Sequence, residues 1–285
     1  MPAGRFAPSP SGELHLGNLR TAVLAWLFAR HTDRRFLLRI EDLDRVRAGS
    51  EAEQIRDLEA IGLDWDEAPV RQSERSELYS AAIQKLRQAD LLFECFCTRR
   101  DIAEAASAPH AVPGHYPGTC LNLSEAKRAS LRRERPAALR LRADVENFTV
   151  LDGLHGEYRG EVDDFVIVRN DGVAAYNLAV VIDDAGQGID QVVRGDDLLS
   201  SAPRQAYLAS LLGYQVPEYL HVPLALNPEG KRLAKRDGAV TLRQLGVEAT
   251  RQLVFDSLRL PASLDQALQV FDPRTLPREP WIVRG

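Results

Sequence analysis

Arg5-Phe-Ala-Pro-Ser-Pro-Ser-Gly-Glu-Leu-His-Leu-Gly-Asn18 decides how the rest of the chain is read. A short apolar run gives way to a Pro/Ser/Gly turn, and beyond it Leu19, Val23, Trp26 and Leu27 recur about one helical turn apart. The stretch therefore predicts strand, loop and helix start. A loop that leaves a parallel strand and enters a helix N-terminus collects unpaired backbone N–H groups at the positive end of the helix dipole, a point that binds phosphate. Gly12 and Gly17 let the backbone approach a ligand closely, and His15 brings a ring N–H to a phosphoryl oxygen.

Working outward, Arg35-Phe-Leu-Leu-Arg-Ile40 reads as a buried strand that ends in Glu41. In open parallel sheets the ligand lies beyond the carboxyl ends of the strands, so Glu41 is a candidate partner for a cationic group, while Asp42 and Asp44 suit caps or surface ion pairs. Residues 51–92 are helical in pattern with a break at 62–69, and Trp65 and Tyr79 read as packing residues. The sheet is expected to resume at Asp164–Val168. Tyr176 then heads an apolar segment, and Arg194 follows the strand-like Ile189–Val193, where a guanidinium can grip a carboxylate bidentately or pair with Asp196 or Asp197. A helix near 201–212, a strand near 219–224 and two short helices at 247–258 and 264–271 complete an alternating β/α pattern. Between them, Asn227–Gly238 is a glycine-bounded basic loop that holds Lys231 and Lys235, two of the chain's four lysines. Such a loop suits neutralisation of β- and γ-phosphates.

The 285 residues suffice for one large domain with an insertion, and a net charge of −5 does not advertise general binding of nucleic acid. A local basic cluster does stand out: Lys127, Arg128, Arg132, Arg133, Arg135, Arg140 and Arg142 suit either a solvated helix face or an RNA backbone. Three cysteines within one short segment, Cys95, Cys97 and Cys120, argue against a disulfide framework. With one further N or O donor they would make a closed, structural zinc site; generic coordination chemistry favours His115 as that donor, and three unpaired core cysteines are the alternative. No run of about 18 apolar residues and no secretory leader is visible, which places the expected location in the cytoplasm.

Several of these residues converge on one family. His15-Leu-Gly-Asn18 resembles the first signature of class I aminoacyl-tRNA synthetases, and Arg232-Leu-Ala-Lys-Arg236 resembles their second, the mobile lysine-and-serine loop. Arg5-Phe-Ala-Pro-Ser-Pro-Ser-Gly12, Arg39-Ile-Glu-Asp-Leu-Asp44 and Tyr176-Asn-Leu-Ala-Val-Val-Ile-Asp-Asp184 look like a glutamyl-tRNA synthetase catalytic core. The chain has little room after Arg236 for that family's helical anticodon-binding part; this shortness, with Cys95, Cys97, Tyr116 and Cys120 in one insertion, resembles the glutamyl-queuosine tRNA(Asp) synthetases.

The resemblance implies an α/β, Rossmann-like nucleotide-binding fold with a parallel sheet, an inserted zinc-binding, acceptor-type subdomain and a short helical C-terminal part. Residues 1–92 and 164–225 would be the two halves of the catalytic domain, 93–163 the insertion, and 226–285 the second-signature loop with the C-terminal helices. It implies activation of L-glutamate by Mg²⁺-ATP and transfer to the queuosine base at the wobble position of tRNA(Asp), by a monomer with no membrane partner. His15 and Lys235 would be catalytic. Arg5, Phe6, Ala7, Pro8, Ser9, Glu41, Tyr176 and Arg194 would form the glutamate pocket, with the carboxylate taken by each arginine left open. His15, Gly17, Asn18, Arg232 and Lys235 would hold ATP, and Cys95, Cys97, Tyr116 and Cys120 the Zn²⁺, with Tyr116 now preferred to His115. Ala234 stands where the second signature usually has serine, which removes a hydroxyl from the phosphates. A short glutamyl-tRNA synthetase that charges a tRNA 3′ end, and a non-catalytic RNA- or nucleotide-binding relative, are the alternatives.

Overall fold

Strand β1 (Ala3–Phe6) is buried along its whole length, as is all of β2 (Arg35–Ile40) after its first residue. Strands buried on both faces read as continuous apolar runs and belong in the middle of a parallel sheet. That is their place in the computed structural model, which describes residues 1–98, 100–102, 116–233 and 240–283. Along β2 the pleat alternates: Phe36, Leu38 and Ile40 join the core around helix α1 (Leu16–His31), whereas Leu37 faces the opposite layer with Ala3 and Val192.

The central sheet has the order β3-β2-β1-β9-β10-β6-β7, where β3 is Val70–Arg71, β6 Asn147–Asp152, β7 Gly156–Glu161, β9 Ile189–Gly195 and β10 Glu218–Val222. All neighbours are parallel except β6 and β7, which form an antiparallel hairpin. From β1 the chain first moves outward through β2 and helix α2 (Ser50–Ala60) to β3, continues into helix α3 (Ser76–Gln88), and later returns to the other side of β1 at β9. The boundary between β1 and β9 is therefore the topological switch point, where a crevice opens above the strand ends.

A second, antiparallel sheet joins β4 (Leu92–Cys95), β5 (Ala138–Leu141) and β8 (Val166–Val168), beside helix α4 (Glu125–Glu134). Here the structure corrects one expectation. Val166–Val168 pairs with β5, not with the central sheet, while the β6–β7 hairpin from inside 93–163 hydrogen-bonds to the central sheet through β10. Hydrogen bonding thus crosses the 163/164 border in both directions. A three-residue β-branched run carries strand propensity but no information on which sheet it completes.

Helix α5 (Tyr176–Gly186) precedes β9, and α6 (Ala202–Leu212) joins β9 to β10; both pack with α3 on one face of the sheet. On the other face α1 is buried nearly all round, from Leu16 to Ala29. Its apolar spacing predicts one covered stripe; its outer side is covered as well, by helices α8 (Val247–Leu258) and α9 (Leu264–Val270), which follow the short α7 (Leu242–Leu245). Phe28 meets Phe271 edge to face at 5.1 Å between centroids, one of the contacts that close this side. The chain ends in a small parallel pair, β11 (Ala225–Leu226) with β12 (Trp281–Ile282). Among the described residues no helix is long and apolar enough to cross a membrane.

Candidate active site and cysteine cluster

Strand ends and one helix bring the charged residues together. Arg5 lies on β1, Arg39 on β2, Glu41 just beyond it, Asp184 in α5, and Arg194 on β9. The Glu41 N–H donates to the carbonyl of Pro8 at 3.0 Å, which fastens the end of β2 to the loop after β1. Asp184 Oδ1 accepts from Arg5 Nε at 3.1 Å and from Arg39 Nη1 at 2.7 Å, while Arg39 Nη2 reaches Glu41 Oε1 at 3.4 Å. Burial favours the neutral acid at Asp184, yet the two guanidiniums outweigh it and hold the carboxyl below its ordinary value. At Glu41 burial wins against the more distant Arg39 and Arg5, and the carboxyl sits above its ordinary value. Behind this cluster Asp183 accepts from Arg75, Gln72 and Tyr79 at 2.6, 2.8 and 2.9 Å, an anchor for α5.

Arg194 is different. Its Nε donates to His221 Nε2 at 2.9 Å and its Nη1 to Gln205 Oε1 at 2.7 Å, and its guanidinium carbon is 5.3 Å from the Tyr219 ring centre. Among the described residues these partners are neutral, and the alternative of an ion pair with Asp196 or Asp197 is not what forms: Asp197 binds Arg232. Tyr176, 42% exposed, has its phenol in the combined field of Arg194, Glu41, Arg5 and Asp184.

A cavity of about 660 Å³ is lined by Ser9, Glu41 and Tyr176 at the strand ends and by Cys95, Cys97 and Arg135 on the side of the small sheet. Of the stretch Arg5 to Ser9, Ser9 is exposed and lines this cavity, Ala7 is half-buried, and Pro8 is buried. Phe6 packs into the hydrophobic core, because alternate residues of a strand face opposite sides and Arg5 takes the polar one.

The turn after β1 is held by Gln54 of α2, whose Nε2 donates to the carbonyls of Ser9 at 3.1 Å and Gly12 at 2.6 Å. His15 is the N-cap of α1: its Nδ1 accepts from the Asn18 N–H at 3.3 Å, and Asn18 Oδ1 accepts from the His15 N–H at 3.2 Å. A ring nitrogen that accepts is unprotonated, so the neutral imidazole carries its proton on Nε2. Gly17 is needed for space. A Cβ there would stand 3.1 Å from the His15 ring and 3.1 Å from the Ala225 Cβ. Lys235, Ala234 and His115 lie outside the described residues.

The three sulfurs of Cys95, Cys97 and Cys120 lie within 4.8 Å of one another and form no disulfide, a cluster that could hold a metal ion. Sulfurs around a tetrahedral ion at about 2.3 Å stand about 3.8 Å apart, so the spacing fits. Tyr116 closes the fourth side: its Oη is 3.4 Å from Cys95 Sγ and accepts the Cys120 N–H at 2.8 Å. Burial and the neighbouring thiols push Cys97 up to about 12, so the thiol keeps its proton unless a bound metal ion displaces it. Arg140 lies over the Tyr116 ring at 3.7 Å.

The basic cluster divides. Arg140 is buried, and Arg132 is bound to Glu94 and Glu125 at 2.6 Å each, whereas Lys127 and Arg133 are exposed. Sequence reasoning quoted Arg39 and Asp184 without giving them a task and passed over Asp152, Gln205 and His221. Only the Asp183-Asp184 pair in an apolar helix signalled buried charge.

The chain matches the profile of tRNA synthetases class I (E and Q), catalytic domain, over residues 3–261. The glutamyl-Q tRNA(Asp) synthetase of Nocardia farcinica is 63% identical over 288 residues, covering 99% of this chain and 93% of that one. Its counterpart in Deinococcus radiodurans is 47% identical over 290 residues, covering 96% and 95%. The solved glutamate-tRNA synthetase of Elizabethkingia anophelis superposes with a TM-score of 0.84 at 30% identity, covering 100% of this chain and 68% of that one. Strand order, signature helix and relatives agree: the chain belongs to the class I tRNA synthetases of the E and Q type, and within them to the glutamyl-Q tRNA(Asp) synthetases.

Proposed function

We propose that the chain activates L-glutamate with ATP to glutamyl-adenylate and transfers the glutamyl group to the queuosine base at the wobble position of tRNA(Asp). The observation that carries this reading is the charge pattern above the switch point. Arg5 and Arg39 share Asp184 and leave Glu41 facing the cavity, while Arg194 has only neutral hydrogen-bond partners among the described residues. Glutamate brings one ammonium and two carboxylates. Glu41 takes the ammonium, and Arg194 the side-chain carboxylate, because the α-carboxylate must stay free to react. Tyr176, Ser9 and Ala7 form the wall, with Arg5 behind it.

An α-carboxylate oxygen attacks the α-phosphorus in line; the bond to the bridging oxygen breaks and pyrophosphate leaves. A hydroxyl of the queuosine cyclopentene ring then attacks the acyl carbon and AMP leaves. Neither step needs a protein nucleophile, since positioning and charge stabilisation suffice. His15, through Nε2–H, and the amide end of α1 near Gly17 and Asn18 hold the phosphates; Lys235 and Arg232 meet the leaving pyrophosphate. Mg²⁺ accompanies ATP and neutralises phosphate charge. Zn²⁺ on Cys95, Cys97, Cys120 and Tyr116 would tie β4 to the loop around Cys120 and so hold the cavity's far wall. The site of action on this reading is the cytoplasm. The name and 63% identity of the Nocardia farcinica relative, a glutamyl-Q tRNA(Asp) synthetase, support the queuosine acceptor over the 3′ end of a tRNA.

Glutamate-dependent ATP–pyrophosphate exchange, followed by charging of tRNA(Asp) with and without queuosine, tests the reading. Glutamate attached equally to queuosine-free tRNA, or to the 3′ end, overturns the acceptor; absence of exchange overturns the activation.

Three variants extend the test. Gly17→Ala gains roughly 0.5–1 kcal/mol of helix propensity but presses on the His15 ring, so the KM for ATP rises several-fold at nearly unchanged melting temperature. Cys120→Ser drops bound zinc from about one per chain to none by elemental analysis. A chelator lowers the unaltered protein's melting temperature, and zinc at about a thousand times its Kd restores about 4 kcal/mol. Reversing Lys127 and Arg133 together to glutamate weakens tRNA binding and flattens its salt dependence by about two units of slope, leaving exchange unaffected.

A further inference from the structure

Among the described residues the hydrogen-bond acceptors of Arg194 are neutral, and one of them has been prepared by a buried carboxylate. Asp152, the last residue of β6, faces His221 on β10; Asp152 Oδ2 lies 2.6 Å from His221 Nδ1 and also accepts the His221 N–H at 3.1 Å. Its other oxygen accepts the N–H groups of Leu154 and His155, each at 2.9 Å. A carboxylate so placed requires the imidazole proton on Nδ1, which leaves Nε2 with a lone pair. That lone pair meets Arg194 Nε at 2.9 Å. Asp152 and His221 are 1% and 0% exposed, and the Tyr219 ring stacks on His221 at 5.8 Å between centroids. Burial, with the Arg194 charge, keeps the imidazole neutral against the opposing pull of Asp152. On its other side Gln205 presents an amide oxygen to Nη1 and gives its own N–H to Asn177 Oδ1 at 3.0 Å, which orients the amide.

We propose that Asp152 and His221, with Gln205, are positioning residues for Arg194: they fix its guanidinium through neutral acceptors, so that its full charge is kept for the glutamate side-chain carboxylate. The proposal rests on the reading of Arg194 as a glutamate ligand. It gives the β6–β7 hairpin a part in substrate selection, since Asp152 enters the sheet with that hairpin. A carboxylate in direct contact with Arg194 would hold it equally well but would consume the charge. Asp152 acts one residue away, through the imidazole, and retains its orienting effect without forming the ion pair.

Two near-isosteric histidine replacements separate orientation from folding. In His221→Gln the side-chain oxygen falls near the place of Nε2 and still accepts from Arg194; in His221→Asn the amide reaches Asp152 and leaves Arg194 without its acceptor. In glutamate-dependent ATP–pyrophosphate exchange, His221→Asn raises the KM for glutamate at least tenfold, His221→Gln less than threefold, and both leave the KM for ATP unchanged. Gln205→Glu, which sets a carboxylate against Arg194, raises the glutamate KM at least tenfold and does not lower the melting temperature. Equal effects of the two histidine variants, parallel rises in both KM values, or an unchanged glutamate KM in Gln205→Glu overturn the positioning role while exchange by the unaltered protein still stands. No exchange by the unaltered protein overturns the activation reading and this proposal with it.

Discussion

Asp184→Asn costs about 3–5 kcal/mol of folding stability, because it leaves Arg5 and Arg39, 4% and 0% exposed, without the carboxylate they share. For a chain of this size that corresponds to a fall of about 10 °C in melting temperature, readable by calorimetry. The amide keeps the shape of the side chain, so the loss is electrostatic and not a cavity effect. On the proposed role of Glu41, glutamate-dependent exchange falls as well, since Glu41 becomes the nearest counter-ion for both guanidiniums and is drawn away from the substrate ammonium. The sign of the pH dependence follows from the depressed carboxyl of Asp184. Its contribution is fully present above the unfolded carboxylate value of about 3.9 and is lost as the pH falls through the lower folded value. Denaturant unfolding of the two proteins therefore differs most near neutral pH, and the gap narrows below about pH 4. A gap that widens with acid would contradict the assignment of Asp184 as the charged centre of this cluster.

Local pattern reached the elements and the strand ends, and the reason is visible in β2. Arg35–Ile40 is a run buried on both faces, bounded by a carboxylate, and its limits follow from the residues alone. The placement of Glu41 and Arg194 at strand ends was legible for the same reason: each closes a strand in a β/α alternation, and such ends face the crevice. What local pattern leaves open is which strands are neighbours. The contacts that give the pocket its electrostatics join Arg5 to Asp184 and Asp152 to His221, pairs set far apart along the chain and brought together by the sheet order. The same lack of pairing information let Val166–Val168 be read into the wrong sheet. A motif quoted as a block also hides the pleat: Phe6 sits between Arg5 and Ala7 in the sequence and on the opposite side of β1 from Arg5 in the fold. The basic cluster left both of its readings open for a related reason, since composition counts charges and not partners: Arg132 meets the solvated-face reading by pairing with Glu94 and Glu125, whereas Lys127 and Arg133 stay exposed.

Arg194→Leu raises the KM for glutamate by about two to three orders of magnitude, the equivalent of about 3–4 kcal/mol and within the range for removal of one partner of a buried charge pair. The magnitude follows from the environment, not from the residue type. Arg5 already spends its charge on Asp184, so its replacement would cost mostly stability; Arg194 has neutral partners among the described residues, and its replacement costs mostly substrate affinity. Leucine does leave the His221 lone pair and the Gln205 oxygen without a donor, a penalty of about 1–3 kcal/mol in stability for each, so unfolding is measured alongside the kinetics. Selectivity provides the sharper readout. Glutamine has nearly the shape of glutamate and lacks only the charge, so on the proposed role of Arg194 the preference for glutamate over glutamine collapses in Arg194→Leu and persists in part in Arg194→Lys, which keeps the charge but not the planar fork. If Arg194→Leu discriminates between the two amino acids as well as the unaltered protein does, the side-chain carboxylate is held elsewhere, and Arg5 becomes its partner despite Asp184.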